Sequence, residues 1–158
     1  MFGRKNRVSV GDKAPDFTLP NQDGIPIRLS DFIGKRVVVL FFYPKDDSPG
    51  CRVEACAFRD TYIDFKEAGA EVIGISSDSV ESHKRFTSKY KIPYHILSDK
   101  GGRVRKLYGV PSTLGIIPGR VTYIIDKQGY VRHIFSSQFN PRRHVEEALK
   151  VVEKLQQT

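Results

Sequence analysis

Cysteine is scarce in this chain, with two residues, Cys51 and Cys56, in 158. That is too few for the disulfide scaffold of a small secreted domain, and it points to a reducing compartment. Long apolar runs are missing as well. The longest, Val37 to Tyr43, falls far short of the about 20 residues a membrane helix needs, so no membrane partner is expected. The basic start, MFGRKNRVSVGDKAPDF, has no apolar stretch behind it and is not rich in Ser and Arg, so it reads neither as a secretory signal nor as a transit peptide. The cytoplasm is the expected location; a mature form already processed for an organelle such as the chloroplast looks the same. No Gly-x-Gly-x-x-Gly or P-loop pattern is present, so no nucleotide cofactor is expected. His83, His95, His133 and His144 lack zinc-ligand spacing, two cysteines cannot hold an iron–sulfur cluster, and no metal is expected. The histidines read as surface or satisfied core residues.

Against 18 acidic residues stand 26 Lys and Arg, a net charge of +8. The basic residues are scattered, through Arg4-Lys5, Arg103-Arg105-Lys106 and Arg142-Arg143, without an interleaved aromatic stripe. This reads as solvated surface rather than a nucleic-acid footprint, and no nucleic-acid partner is expected.

The length suits one domain, residues 1–158, with a core of its own. Two short strands flank turn residues Asn21 to Gly24. Arg36 to Tyr43 is β-branched and aromatic without alternation, which is how a strand covered on both faces reads, and Pro44 ends it. Val53, Ala57, Phe58, Thr61, Tyr62 and Phe65 recur at helical spacing, and Gly69 closes that helix. Glu71 to Ser76 is a second buried strand. Asp78 with Glu81 forms a capping-box pattern for a helix running to about Tyr90. Tyr94 to Leu97 reads as a strand and Gly101 to Tyr108 as a helix. Val121–Ile125 and Tyr130–Phe135 make a hairpin around Asp126 to Gly129. Asn140-Pro141 opens a last helix with the stripe Val145, Ala148, Leu149, Val152 and Leu155. The expected fold is a three-layer α/β/α domain with a mixed sheet.

Chemistry concentrates in Tyr43-Pro44-Lys45-Asp46-Asp47-Ser48-Pro49-Gly50-Cys51, between the end of the buried strand and a helix start, where ligands collect in open α/β sheets. Cys51 falls in the first helical turn, where free N–H groups and the helix dipole favour a thiolate. Most free cysteines are small buried hydrophobes, but a helix start behind Pro49-Gly50 and beside a polar loop is a poor place for an inert thiol. Ser48 brings a hydroxyl within reach of whatever Cys51 binds. Five residues apart on an α-helix, two Cα atoms lie roughly 8–9 Å from one another, and a disulfide tolerates about 7 Å. Cys51 and Cys56 therefore suit a switch that is helical when reduced and locally melted when oxidised.

At these residues the chain resembles a peroxiredoxin of the AhpC/TSA superfamily, and most closely the Q-type, or bacterioferritin-comigratory-protein, branch. Pro44, Ser48 and Cys51 match the P-x3-T/S-x2-C pattern, with Ser48 where threonine is usual, and Cys56 matches the second cysteine of the branch. Gly69 to Ser76 and Pro118 to Tyr123 extend the likeness, which covers nearly the whole chain from Val10. The resemblance implies a thioredoxin-like fold and a peroxidase for hydrogen peroxide and organic hydroperoxides, serving antioxidant defence. It implies that Cys51 attacks the peroxide and becomes a sulfenic acid, that Pro44 shields the pocket and that Ser48 bonds the peroxide. It also implies that Arg120 stabilises the charges, and that Cys56 resolves the sulfenic acid as an intrachain disulfide. The disulfide would be reduced by thioredoxin or a glutaredoxin-like dithiol, and a monomer suffices. Two other readings compete: a thiol–disulfide oxidoreductase, which generally carries Cys-x-x-Cys where Glu54 stands here, and a non-enzymatic redox sensor.

Overall fold

Asn21 closes the first turn, its side chain accepting the N–H groups of Asp23 and Ile25, the use that suits asparagine to turns. The turn joins β1 (Thr18–Pro20) to β2 (Pro26–Arg28) in an antiparallel pair. The computed structural model describes residues 7–113, 117–138 and 140–156; Arg4 and Lys5 of the scattered basic residues lie outside these. The remaining elements are β3 (Val37–Phe42), α1 (Pro49–Asp60), α2 (Tyr62–Glu67), β4 (Ala70–Ser76), α3 (Val80–Tyr90), β5 (His95–Ser98), α4 (Arg103–Tyr108), the short strands β6 (Ser112–Thr113) and β7 (Ile117–Pro118), β8 (Val121–Ile125), β9 (Val131–Ser136) and α5 (Pro141–Gln156).

Five strands form one mixed sheet in the order β5-β4-β3-β8-β9. β3 lies at its centre, parallel to β4 and antiparallel to β8. Every residue of β3 is buried, and its lack of alternation has a direct cause. Val37, Val39, Phe41 and the following Tyr43 join a cluster with Phe58 of α1, Phe65 of α2, Phe86 of α3 and Val152 of α5. Val38, Leu40 and Phe42 face the other way, toward Phe17, Leu19, Leu29, and Val104 and Tyr108 of α4. Two apolar layers on one strand leave no face for water. This is the three-layer α/β/α arrangement expected from the element order.

The structure corrects several details. The helix expected to run unbroken to Gly69 is divided at Thr61, where the backbone leaves helical geometry (φ −106°, ψ 8°) and the hydroxyl donates to the Ala57 carbonyl at 2.8 Å. The buried stripe of α1 is Cys51, Glu54, Ala55 and Phe58, with Val53 and Ala57 only half-buried. A buried glutamate concealed that stripe from an apolar count. Ser79, not Asp78, caps α3 by accepting from the Ser82 N–H, because the Asp78 carboxylate is taken by the Asp46 N–H and the Ser76 hydroxyl. On α5 the buried residues are His144, Val145, Ala148 and Val152, and Leu149 and Leu155 are half-buried. Arg105 does not belong to the solvated charge: it is buried, with its guanidinium on the Ser77 hydroxyl (2.7 Å) and the Tyr43 carbonyl (3.3 Å).

Strand β4 carries Gly74 because Phe41 of β3 and Ile96 of β5 close over it. A Cβ there would stand 2.7 Å from Phe41 Cζ and 2.8 Å from Ile96 Cδ1. Phe41 cannot easily yield, being stacked on Phe58 at 4.5 Å between ring centroids. Gly74→Ala is therefore expected to destabilise the fold by about 1–3 kcal/mol through overpacking, measured as a lower urea midpoint with an unchanged slope.

Candidate active site

Pro49, at the first helical position, and Ser48, extended just before it, start α1 so that Cys51 falls in its first turn. α1 follows the end of β3 after a short loop, which places the thiol at the sheet's carboxyl edge. Cys51 is 1% exposed. Cys56 lies on the same helix, half-buried, and both thiols are free. Burial, only partly offset by Arg59, raises the Cys56 pKa, so this residue stays a thiol. The helical placement of both cysteines meets the condition for the switch geometry.

Arg120 comes from the far side of the chain. Because β8 runs antiparallel to β3 with Val121 opposite Phe42, the residue before β8 arrives level with Tyr43, at the same end of the sheet as Cys51. As a lone basic residue Arg120 would pass for surface charge, yet it is only 5% exposed. Its Nη1 donates to Glu54 Oε1 at 2.7 Å and its Nε to the Gln138 carbonyl at 3.3 Å. The other arm of the guanidinium lies over Gly50, where a Cβ would approach Nη2 to 2.8 Å; glycine makes the room. Burial acts against the cation, but Glu54 and Cys51, through charge and hydrogen bonding, hold its pKa above the ordinary value.

Glu54 was not singled out by the sequence beyond its place three residues after Cys51. That spacing is the signal that marks it, since a charged residue on the face of a reactive cysteine one turn away must be buried with it. It is fully buried. Burial raises its carboxyl to about 8 in spite of Arg120, which pulls the other way. Its second oxygen, Oε2, has no hydrogen-bond partner among the described residues and lies 3.6 Å from His144 Nδ1. His144 is likewise fully buried, between the Thr122 hydroxyl at Nδ1 and the Ser137 carbonyl at Nε2, both at 2.8 Å. A carbonyl only accepts, so Nε2 carries the proton and Nδ1 offers a lone pair. Burial lowers the His144 pKa to about 4, with Ser137 opposing and Arg120 adding to the effect, and the ring is neutral.

The loop between β3 and α1 is tied to α3. Asp46 accepts from the Tyr43 hydroxyl (2.5 Å) and the Ser82 hydroxyl (2.8 Å), and its Oδ2 lies 2.7 Å from His83 Nδ1. His83 Nε2 faces the Leu97 carbonyl at 2.9 Å. Asp47 adopts the left-handed conformation (φ 61°), which aspartate tolerates. Hydrogen bonds from Tyr90 and Lys89 hold it there and keep its carboxyl below the ordinary range. Asp46, Asp78 and His83 each bring one possible metal-ligand atom within 4.8 Å of the others, but those groups are engaged with one another and their neighbours. Ser48, half-buried, donates its hydroxyl hydrogen to the Lys45 carbonyl at 2.9 Å, leaving the oxygen lone pairs free to accept. Pro44, half-buried, follows Tyr43 at the strand end. His95 bonds Asn21, and His133 stands 3.2 Å from Glu147.

The pattern of the AhpC/TSA family matches residues 10–134. The chain is 54% identical over 157 residues to "Peroxiredoxin Q, chloroplastic" of Sedum lineare, covering 96% of this chain and 84% of that protein. It is 55% identical over 145 residues to the protein of the same name from Arabidopsis thaliana, covering 91% and 67%. Among solved structures, peroxidoxin BcpB from Mycobacterium tuberculosis is similar with a TM-score of 0.87 at 38% identity, over 94% of this chain and 99% of that one. A cysteine-to-serine mutant of PrxQ from Xylella fastidiosa is similar with a TM-score of 0.87 at 26% identity, over 96% and 99%.

Arg120 faces Cys51 with its charge, so removing that charge is expected to leave the Cys51 thiolate less favoured. Arg120→Met is expected to slow alkylation of Cys51 by iodoacetamide at neutral pH by roughly tenfold or more, since one nearby opposite charge is worth about 1–3 pKa units. Gly50→Ala, which displaces the guanidinium, acts in the same direction with a smaller effect. Unchanged alkylation rates in both variants would sink this role for Arg120.

Proposed function

The chain belongs to the AhpC/TSA family as a peroxiredoxin of the Q type, a thiol peroxidase that reduces peroxides and is recycled by a thioredoxin-type reductant, and on that premise we propose that Cys51 is its peroxidatic cysteine and Cys56 its resolving one. The observation that carries the assignment is the buried Arg120 guanidinium facing Cys51 at the start of α1. A desolvated cation and free backbone N–H groups favour the thiolate before reaction, and they oppose the negative charge that grows on the peroxide oxygens during it.

In the first step the Cys51 thiolate forms an S–O bond as the O–O bond breaks. Sulfur gives two electrons, the distal oxygen leaves as hydroxide or alkoxide, and it takes up a proton. Ser48 accepts a hydrogen bond from the peroxide O–H, a role its free lone pairs allow, and Pro44 walls the pocket. The Cys56 thiol then attacks the sulfenic acid, an S–S bond replaces S–O, and water leaves. For this α1 opens, because an intact helix holds the two Cα atoms beyond disulfide reach. The dithiol reductant restores both thiols by exchange. Both cysteines sit on one helix, which supports a complete catalytic unit within a single chain. The chloroplastic names of the relatives favour the plastid over the cytoplasm as its compartment.

Hydrogen peroxide turnover coupled to NADPH through thioredoxin and its reductase tests the roles. Wild type is expected to turn over, Cys51→Ser to be inactive, and Cys56→Ser to stall after one equivalent as a sulfenic acid that dimedone traps. Full thioredoxin-dependent activity in Cys56→Ser would mean that an outside thiol resolves Cys51.

A further inference from the structure

Glu54 lies between the two cysteines, on the turns of α1 that open when they join. Three observations single it out. It is fully buried. Its Oε1 occupies one arm of Arg120, whose single charge also faces Cys51, so one cation stands between two acidic groups. Its Oε2 has no hydrogen-bond partner among the described residues and lies 3.6 Å from His144 Nδ1, whose lone pair is already taken by the Thr122 hydroxyl. An ionised oxygen there finds no donor, because the neutral ring presents a nitrogen without a hydrogen, and its charge goes unsolvated. Two buried anions sharing one guanidinium would leave an uncompensated charge in the core, and the group that can neutralise takes a proton.

We propose that in the reduced enzyme Glu54 carries a proton on Oε2, leaving the Arg120 charge to the Cys51 thiolate, and that it releases this proton when α1 opens to form the Cys51–Cys56 bond. Glu54 is thus a positioning residue for Arg120 whose protonation reports the state of the helix. The inference rests on the reading of Cys56 as the resolving cysteine.

The groups facing the carboxyl agree. Arg120, from the segment before β8, favours its ionised form but is outweighed by burial, which raises Glu54 to about 8. His144, from α5, is neutral, with its pKa lowered to about 4 by burial. Tyr94, ahead of β5, has a pKa raised well above its ordinary value, by burial first and Glu54 next, and is neutral. Cys51 supplies the competing anion. A carboxyl raised from its ordinary 4.5 to about 8 stabilises the closed helix fully below the ordinary value, and this contribution is lost as pH rises through about 8. Between those limits opening releases one proton, so a higher pH favours the disulfide.

The proton balance makes this measurable. Thiolate plus peroxide gives sulfenic acid and a leaving anion that takes one proton from water; condensation with the Cys56 thiol releases water and no proton. Oxidation to the disulfide therefore consumes one proton, and Glu54 returns one. The experiment is a single turnover with one equivalent of hydrogen peroxide in weak buffer, with a pH indicator, thiolate ultraviolet absorbance before mixing, and mass spectrometry of the product. At pH 7 wild type is expected to show the thiolate, form the disulfide and take up no net proton, whereas Glu54→Gln takes up one. In wild type alone, uptake should climb from zero toward one as the pH is raised through about 8, a readout that does not depend on any variant folding. Disulfide formed with one proton consumed at pH 7 overturns the Glu54 assignment while leaving Cys56 in place. Absence of thiolate before mixing puts the proton on Cys51 and also overturns it. If no disulfide forms, the reading of Cys56 fails, and this inference fails with it.

Discussion

One buried positive charge organises the reactive end of this molecule. Arg120 is nearly solvent-free, and a guanidinium cannot shed its proton to escape that cost. It must instead be met by acceptors, and Glu54, the Gln138 carbonyl and Cys51 are those acceptors. The surrounding structure serves this arrangement. Gly50 leaves the space, the antiparallel pairing of β8 with β3 delivers the arginine to the right edge, and α5 places His144 3.6 Å from Glu54. Without the cation, the first turn of α1 would still favour a thiolate, but only by the modest amount that a helix dipole provides.

On the proposed roles of Cys51 and Cys56, the same helix is closed for attack and open for resolution. Its fixed attachments lie on either side of the segment that has to move. Ahead of Cys51, Asp46 and Asp47 bind the loop to α3 through Ser82, His83, Lys89 and Tyr90. The Asp46 and His83 contacts are buried and hold the loop firmly, whereas the Asp47 contacts are exposed and screened. Beyond Cys56, Phe58 is packed between Phe41 and Phe65. Between these anchors Tyr94 holds the Ala55 carbonyl at 2.7 Å and Arg120 holds Glu54. The polar contacts that the proposed opening of α1 would break are therefore few and identifiable.

Much of the architecture was legible beforehand. The unalternating run ending in Tyr43 identified a central strand because two covered faces require apolar residues at every position. Pro49-Gly50 marked the helix start, and the structure places Cys51 in the first turn behind it. The errors share a cause. Glu54 breaks the apolar stripe of α1, so apolar spacing alone puts Val53 and Ala57 on the buried face. Asp78 has the look of a cap because one competing partner, the Asp46 N–H, comes from 32 positions away. Arg105 resembled solvated charge because its acceptors, on Ser77 and Tyr43, are distant in sequence.

The sequence by itself determined the layer order, the central strand and the position of a thiol at a helix start, because periodicity, turn residues and caps are local and act over a few residues. Only the tertiary structure decided which charges are buried and with whom. Arg120 meets Glu54 across 66 positions of chain, brought there by strand register, and whether a charge is surface decoration or the centre of a site depends on the solvent removed by elements folded from elsewhere.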